Sequence, residues 1–457
     1  MKKLVALFAA LMVVATPWAT AQVEVDVPIG TGQIKPFPIA IPDFKPAAGA
    51  EDLSRQISEV VRNDLVSTGL FATTDPSAFI QKDLSIDLRP RFADWRIIQA
   101  DGLVVGEVEL LPGQPGTTED DQVLVSFRLW DVNGEEIYRL NGQSGRRLRT
   151  PVTNWRRIAH QIADSIYTRL TGEDGYFDTR IVYIAETGPK TARIKRLSIM
   201  DQDGANQRFL TEGIHNIITP RFSPTDQRIT YMSFEGGRPR VYLFDLANRR
   251  QESLGNFPGM TFAPRFSPNG KSVIFSQAQN GNTDIYIMDL VTRQTRRLTD
   301  HPSIDTSPSM SPDGRQVVFN SDRGGSPQLY IMNVDGSPRE CPSGGRDKAC
   351  RITFGRGRYS TPVWSPRGDL VAFTKQTRGR FHIGVIGNDG DGERLLTEAY
   401  LDEGPGWAPN GRVITFFRET RPGAAPQVWS VDLTGRNLRP MSTTTSASDP
   451  AWSPLLD

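Results

Sequence analysis

Four histidines, two cysteines and a scatter of carboxylates are the side chains of this 457-residue chain best suited to chemistry. His215, His301, Asp305 and Asp402 each stand just ahead of similar proline-bounded phrases, so a repeat in space would gather them at one mouth. A base or metal site there is what eliminative cleavage of a polysaccharide would need. Their spacing matches no diagnostic acid–base or ligand pattern. Two cysteines and scattered histidines make no zinc cluster, and no G-x-S-x-G nucleophile elbow occurs. No cofactor and no metal are therefore expected; a lyase-like enzyme, for which these four residues could contribute, and a glycan-binding protein remain the rival readings. Cys341 and Cys350 are the only cysteines, and in an oxidising compartment they read as a disulfide.

The phrases that would position these side chains number six: Pro220-Arg-Phe-Ser-Pro224, Pro264-Arg-Phe-Ser-Pro268, Pro308-Ser-Met-Ser-Pro312, Pro362-Val-Trp-Ser-Pro366, Pro405-Gly-Trp-Ala-Pro409 and Pro450-Ala-Trp-Ser-Pro454. Their first prolines lie 44, 44, 54, 43 and 45 residues apart. A period near 40–45 with several strands per repeat marks a β-propeller, whose units bury their faces only by closing into a ring. Each phrase reads as a strand running into a turn such as Ser311-Pro-Asp-Gly314. Two apolar strands and a more polar edge strand follow, for example Val317-Val-Phe, Leu329-Tyr-Ile-Met and Cys350-Arg-Ile-Thr. The last phrase has no strands after it, whereas Arg180–Ala185 and Lys195–Met200 lack a first strand. The C-terminal strand is thus expected to complete the first blade, removing two open edges. The fold class is mainly β: a six-bladed propeller over residues 179–457, after an N-terminal α/β domain.

The chain opens with Met1-Lys2-Lys3, an apolar run from Leu4 to Ala15 and a small-residue site at Ala19-Thr20-Ala21. This predicts a signal peptide over residues 1–21 rather than an anchor, which needs about 20 apolar residues. Without Lys2 and Lys3, 51 of the 53 basic residues remain against 52 acidic ones, a net charge of −1. Such a balance gives no electrostatic reason to expect nucleic acid, and no later segment is apolar enough for membrane insertion. Residues 22–170 lack the repeat. Helical stripes over Asp52–Leu70 and Thr153–Leu170, with strands at Phe37–Ile41, Leu103–Val108, Val123–Leu129 and Glu136–Leu140, make them an α/β domain, joined by a linker at 171–178. Ahead of Pro28, Val23-Glu-Val-Asp-Val27 alternates apolar and acidic residues. It can add to a partner's sheet edge or serve as an edge strand of its own domain.

A signal peptide, a small α/β domain and six such phrases together resemble the TolB family of the Tol-Pal system over essentially the whole mature chain. Ser311-Pro-Asp-Gly314, Ile285-Tyr-Ile-Met288, Leu401-Asp-Glu403 and Pro450-Ala-Trp-Ser-Pro454 carry the resemblance. Thr225-Asp226 in place of a turn glycine, Ala408 in place of serine and the insertion holding Cys341 and Cys350 depart from it. The resemblance implies a monomeric, non-enzymatic periplasmic scaffold of a Gram-negative envelope that keeps the outer membrane attached and draws it inward at division. It implies binding of TolA through Gln22, Val23, Glu24, Val25, Asp26 and Val27. It also implies binding of the lipoprotein Pal through one propeller mouth. The loops entering the phrases converge there and offer His215, Met260, Thr261, Phe262, His301, Asp305, Thr306, Tyr359, Asp402 and Glu403. Their mixture of apolar and polar groups suits a protein partner better than a small substrate.

Overall fold

A computed structural model describes residues 35–113 and 120–456; residues 1–21 and 22–27, the expected export segment and partner strand, lie outside them. Six four-stranded antiparallel sheets form the propeller. The phrase strands of the blades are Ile217–Phe222, Met260–Phe266, Asp305–Met310, Arg358–Trp364, Leu401–Trp407 and Ser446–Trp452. Each touches the phrase strands on both sides, so together they line the axis. Ser446–Trp452 pairs with Arg180–Thr187, closing the ring by joining the end of the chain to the first blade. The Ser453 amide donates to Arg180 O at 2.8 Å, and the Arg180 amide donates to Ser453 Oγ at 2.8 Å.

One irregularity recurs in every phrase. The register slips at the first proline, between Ile218 and Arg221, Phe262 and Arg265, Thr306 and Ser309, Ser360 and Val363, Glu403 and Gly406, and Ser448 and Ala451. Proline offers no N–H to the ladder and is accommodated by a bulge. The residue before it is left-handed in all six: Thr219 (φ 52°), Ala263 (49°), Ser307 (55°), Thr361 (47°), Gly404 (69°) and Asp449 (50°). That conformation costs a non-glycine residue about 1–2 kcal/mol. Five of the six positions bear the cost, so the packing of the ring must offset it. At the far end of each phrase strand lies a serine-proline turn, or Ala408-Pro409 in the fifth; in one of them the Gly314 amide donates to Ser311 O at 2.8 Å.

The bridge between Cys341 and Cys350, with Cα atoms 5.1 Å apart, spans an extra hairpin of Arg339–Glu340 and Arg346–Asp347 on the fourth blade. This hairpin accounts for the 54-residue repeat.

In the N-terminal domain, strands Phe71–Thr73, Phe37–Ala40, Gly102–Leu111, Gln122–Asp131 and Glu136–Ile137 lie in that order. Helices α1 (Glu51–Ser67), α2 (Phe92–Ile97) and α3 (Trp155–Thr171) complete the domain. α1 and α3 bury Ile57, Val61, Leu65, Ile158, Ile162 and Ile166 in one core, while Trp95 of α2 belongs to a second one. Two features differ from the sequence reading. The strand expected over 136–140 is only two residues long, with Leu140 forming an isolated bridge to Gln143. Arg146–Pro151 pairs with Gln122–Asp131, although its Arg-Arg-Leu-Arg run has no apolar face to announce it.

The core under α1 and α3 continues into the propeller through Tyr176, Phe177, Ile181, Ala408, Val428 and Trp452. Trp452 Nε1 donates to Thr179 Oγ1 at 2.7 Å, and its ring meets Tyr176 edge-on at 5.8 Å. Around this seam Glu173 accepts Arg367 at 3.0 Å and Arg412 at 2.9 Å, and Asn410 Nδ2 donates to Asp174 O at 3.0 Å. Asn437 Nδ2 reaches Ser67 O at 2.7 Å. Arg367, Asn410 and Arg412 belong to serine-proline-type turns or follow them, so the N-terminal domain sits on the turn face. At its centre His160 Nδ1 lies 2.6 Å from Asp64 Oδ2, both buried, and Gln202 Nε2 donates to Asp64 Oδ1 at 2.8 Å. The face of the ring where loops enter the phrases carries none of these contacts.

Candidate functional site

The loops that enter the six phrases end in strands whose side chains alternate between two fates. Three residues before each proline stand Ile217, Thr261, Asp305, Tyr359, Asp402 and Ala447, and all six are buried. One residue later come Ile218, Phe262, Thr306, Ser360 and Glu403, all partly exposed, and Ser448, which is buried and donates to Glu186 at 2.7 Å. Successive side chains of a strand point to opposite faces, and the bulge that follows holds the register. The first set turns between blades and the second toward the mouth.

Thus four of the ten mouth residues named from sequence are engaged within the ring. Asp402 accepts Arg418 Nε and Nη2 at 2.7 Å each, and Thr397 Oγ1 donates to it at 2.6 Å. Asp305 accepts Arg323 Nη2 at 3.0 and 2.8 Å. The Tyr359 hydroxyl donates to Glu393 at 2.8 Å, with Lys375 Nζ over its ring at 4.7 Å. Thr261 Oγ1 accepts the Val241 amide at 3.2 Å. These pairs clamp the first strand to its own blade or a neighbouring one. His215 and Met260 are exposed, and Phe262, His301, Thr306 and Glu403 are partly exposed. His301 Nδ1 accepts the Ser303 amide at 3.1 Å, which turns one ring edge back into its loop.

Four further residues join Met260 in the exposed set. Ile214 (80 % exposed), Met260 (45 %), Ile304 (47 %), Phe354 (55 %) and Tyr400 (37 %) are each a large apolar group in or just before a different phrase. Only Met260 among them was named from sequence, because a lone apolar residue in a polar loop gives no periodic signal. One such residue is unremarkable, but five on successive loops of one face form a partner-sized surface.

Charge at the mouth is held inward. Burial, reinforced by the Asp449 carboxylate, holds the Glu403 carboxyl above its usual range. Burial raises Asp449 as well, against the pull of Arg221 and Lys195. Among the described residues only His160, Asp201 and Asp203 bring three possible metal ligands within 4.8 Å. That group lies at the domain seam, where Arg156 pairs with both aspartates. His215, His301, Asp305 and Asp402 do not form such a group.

The sequence carries two matching family regions: the TolB amino-terminal domain over residues 25–137 and the TolB beta propeller domain over residues 167–456. It is 54 % identical over 442 residues to a Tol-Pal system protein TolB of Paramagnetospirillum magneticum, covering 95 % of this chain and 94 % of that one. A protein of the same name from Pelagibacter ubique is 50 % identical, with 96 % of each chain covered. The crystal structure of TolB from Acinetobacter baumannii superposes with a TM-score of 0.77 at 29 % identity, covering 92 % of this chain and 97 % of that one. No helix among the described residues is long and apolar enough to cross a membrane. With both regions matched in order and relatives at half identity along nearly the whole length, this chain belongs to the TolB family of Tol-Pal system proteins.

Proposed function

We propose that this protein is a non-enzymatic periplasmic scaffold that binds the lipoprotein Pal at the loop-side mouth and TolA through residues 22–27. Holding both partners would keep the outer membrane attached and draw it inward during division. The observation that carries the reading is the mouth itself: exposed Ile214, Met260, Ile304, Phe354 and Tyr400 stand on the same set of loops as the partly exposed Phe262, Thr306 and Glu403. Apolar and aromatic groups mixed with a few polar ones suit a protein interface. The N-terminal domain packs on the opposite face, so a partner can approach the loops without displacing it.

Calorimetric titration with Pal tests the reading. Joint substitution Thr306→Ala and Glu403→Ala should weaken binding by at least about 2 kcal/mol, the scale of interface anchors. Asn269→Asp with Asp313→Asn, in turns of the opposite face, keeps the turn acceptors and should leave affinity unchanged. Loss of binding from the turn set, with the mouth set unaffected, would reverse the assignment of faces.

A further inference from the structure

The other end of the channel holds a second cavity. The six phrases line an open pocket of about 450 Å³ on the turn side, walled by Trp364, Trp407, Trp452 and the turn prolines. Arg221 and Arg265 also line it. The position after each first proline is occupied by Arg221, Arg265, Ser309, Val363, Gly406 and Ala451. Two adjacent blades therefore supply guanidinium groups, and the other four supply small or short side chains that leave room opposite them. Among the described residues Arg265 has no hydrogen bond or ion pair for its guanidinium. Arg221 donates to Pro220 O at 2.7 Å and feels the charge of Asp449. Burial and the Arg221 charge both work against the protonated form of Arg265. Two like charges that line one pocket, one without a counter-charge, are unfavourable unless something anionic lies between them.

We propose that the turn-side end of the channel is a binding site for a small oxyanion, a carboxylate or phosphate group held between Arg221 and Arg265. A guanidinium presents its N–H donors in a planar fork that matches either group. The cavity lies within the range of small-ligand sites, and its apolar walls with two convergent charges have their usual composition. The site is separate from the loop-side mouth and uses none of the residues assigned there.

The test is calorimetry and thermal melting of the full mature protein with inorganic phosphate and, separately, citrate, at ionic strength matched with sodium chloride. Saturable binding of at least one anion, with a rise in melting temperature, is expected. Phosphate alone would identify a phosphoryl ligand, and citrate alone a carboxylate. Arg265→Gln and Arg221→Gln should each weaken that binding at least tenfold, and Arg265→Lys should fall between, having charge without the fork. In chloride alone Arg265→Gln should melt no lower than the parent, since it removes a repulsion. The proposal is overturned if neither anion saturates the parent, or if both glutamine variants keep parental affinity. A lower melting temperature for Arg265→Gln in chloride would also overturn it, because the guanidinium would then have a partner within the fold.

Discussion

Asp402 and Glu403 are neighbours in one strand, and replacing each in turn separates folding from recognition. Asp402 is fully buried, accepts both donors of Arg418 at 2.7 Å and takes a third hydrogen bond from Thr397. In Asp402→Ala the Arg418 guanidinium, stacked 4.8 Å from the Trp429 ring, is left buried without its carboxylate. Removing one partner of a buried pair costs about 3–5 kcal/mol. The unfolding entropy of about 2.1 cal/mol/K per residue, taken over the propeller region 167–456, gives roughly 0.6 kcal/mol/K. The melting temperature should therefore fall by about 5–8 °C. Glu403→Ala removes a carboxyl whose ionised form is disfavoured by burial, so melting should stay within about 2 °C of the parent while Pal affinity falls. Scanning calorimetry and Pal titration on the same samples measure both quantities. An Asp402→Ala protein that melts with the parent, or a Glu403→Ala protein that loses stability and keeps affinity, would refute the two-face reading of the strand.

Three further outcomes are expected. Deleting residues 22–27 should abolish TolA binding in calorimetry and leave Pal affinity and melting unchanged, since the segment lies ahead of Pro28 and contributes to no repeat; full TolA binding by the truncated protein would contradict this. Non-reduced peptide mapping should recover Cys341 and Cys350 as one linked pair. Reduction should loosen the hairpin at 339–347 far more than the ring, with a chain-entropy effect of roughly 2.5–3 kcal/mol; two free thiols would contradict it. At the domain seam, burial works to lower His160, but the Asp64 charge and hydrogen bond hold it up at about 9, above its usual 6.5. The resulting stabilisation is complete below about pH 6.5 and is lost as pH rises through about 9. His160→Gln should flatten the pH dependence of melting between pH 7 and 9, and an unchanged slope would contradict the assignment.

The ring was legible because its signal repeats: six proline phrases, a period of 43–45 with one excess, and a last phrase with no strands after it. Closure by the C-terminal strand followed from that imbalance alone. The direction of individual side chains was not legible. Asp305 and Asp402 look like solvated loop acids until Arg323 and Arg418 are seen beside them, 18 and 16 residues later in the chain. The left-handed residue before each proline, which holds the alternation in register, leaves no compositional mark when it is Thr, Ala, Ser or Asp. Arg146–Pro151 is hidden for a related reason, since an edge strand built largely of arginines, two of them exposed, has no alternation of apolar residues to read. The seam is a tertiary fact: Asp64 and His160 are 96 residues apart and meet only because α1 and α3 pack side by side.

Hydrogen exchange of the mature protein with and without Pal tests the central claim most directly, because it reads every loop at once. Protection is expected in the segments around Ile214, Met260, Ile304 to Thr306, Phe354 to Ser360 and Tyr400 to Glu403, with the serine-proline turns at Asn269 and Asp313 unchanged. Protection centred on those turns, with the five loops exchanging as in the free protein, would contradict the account.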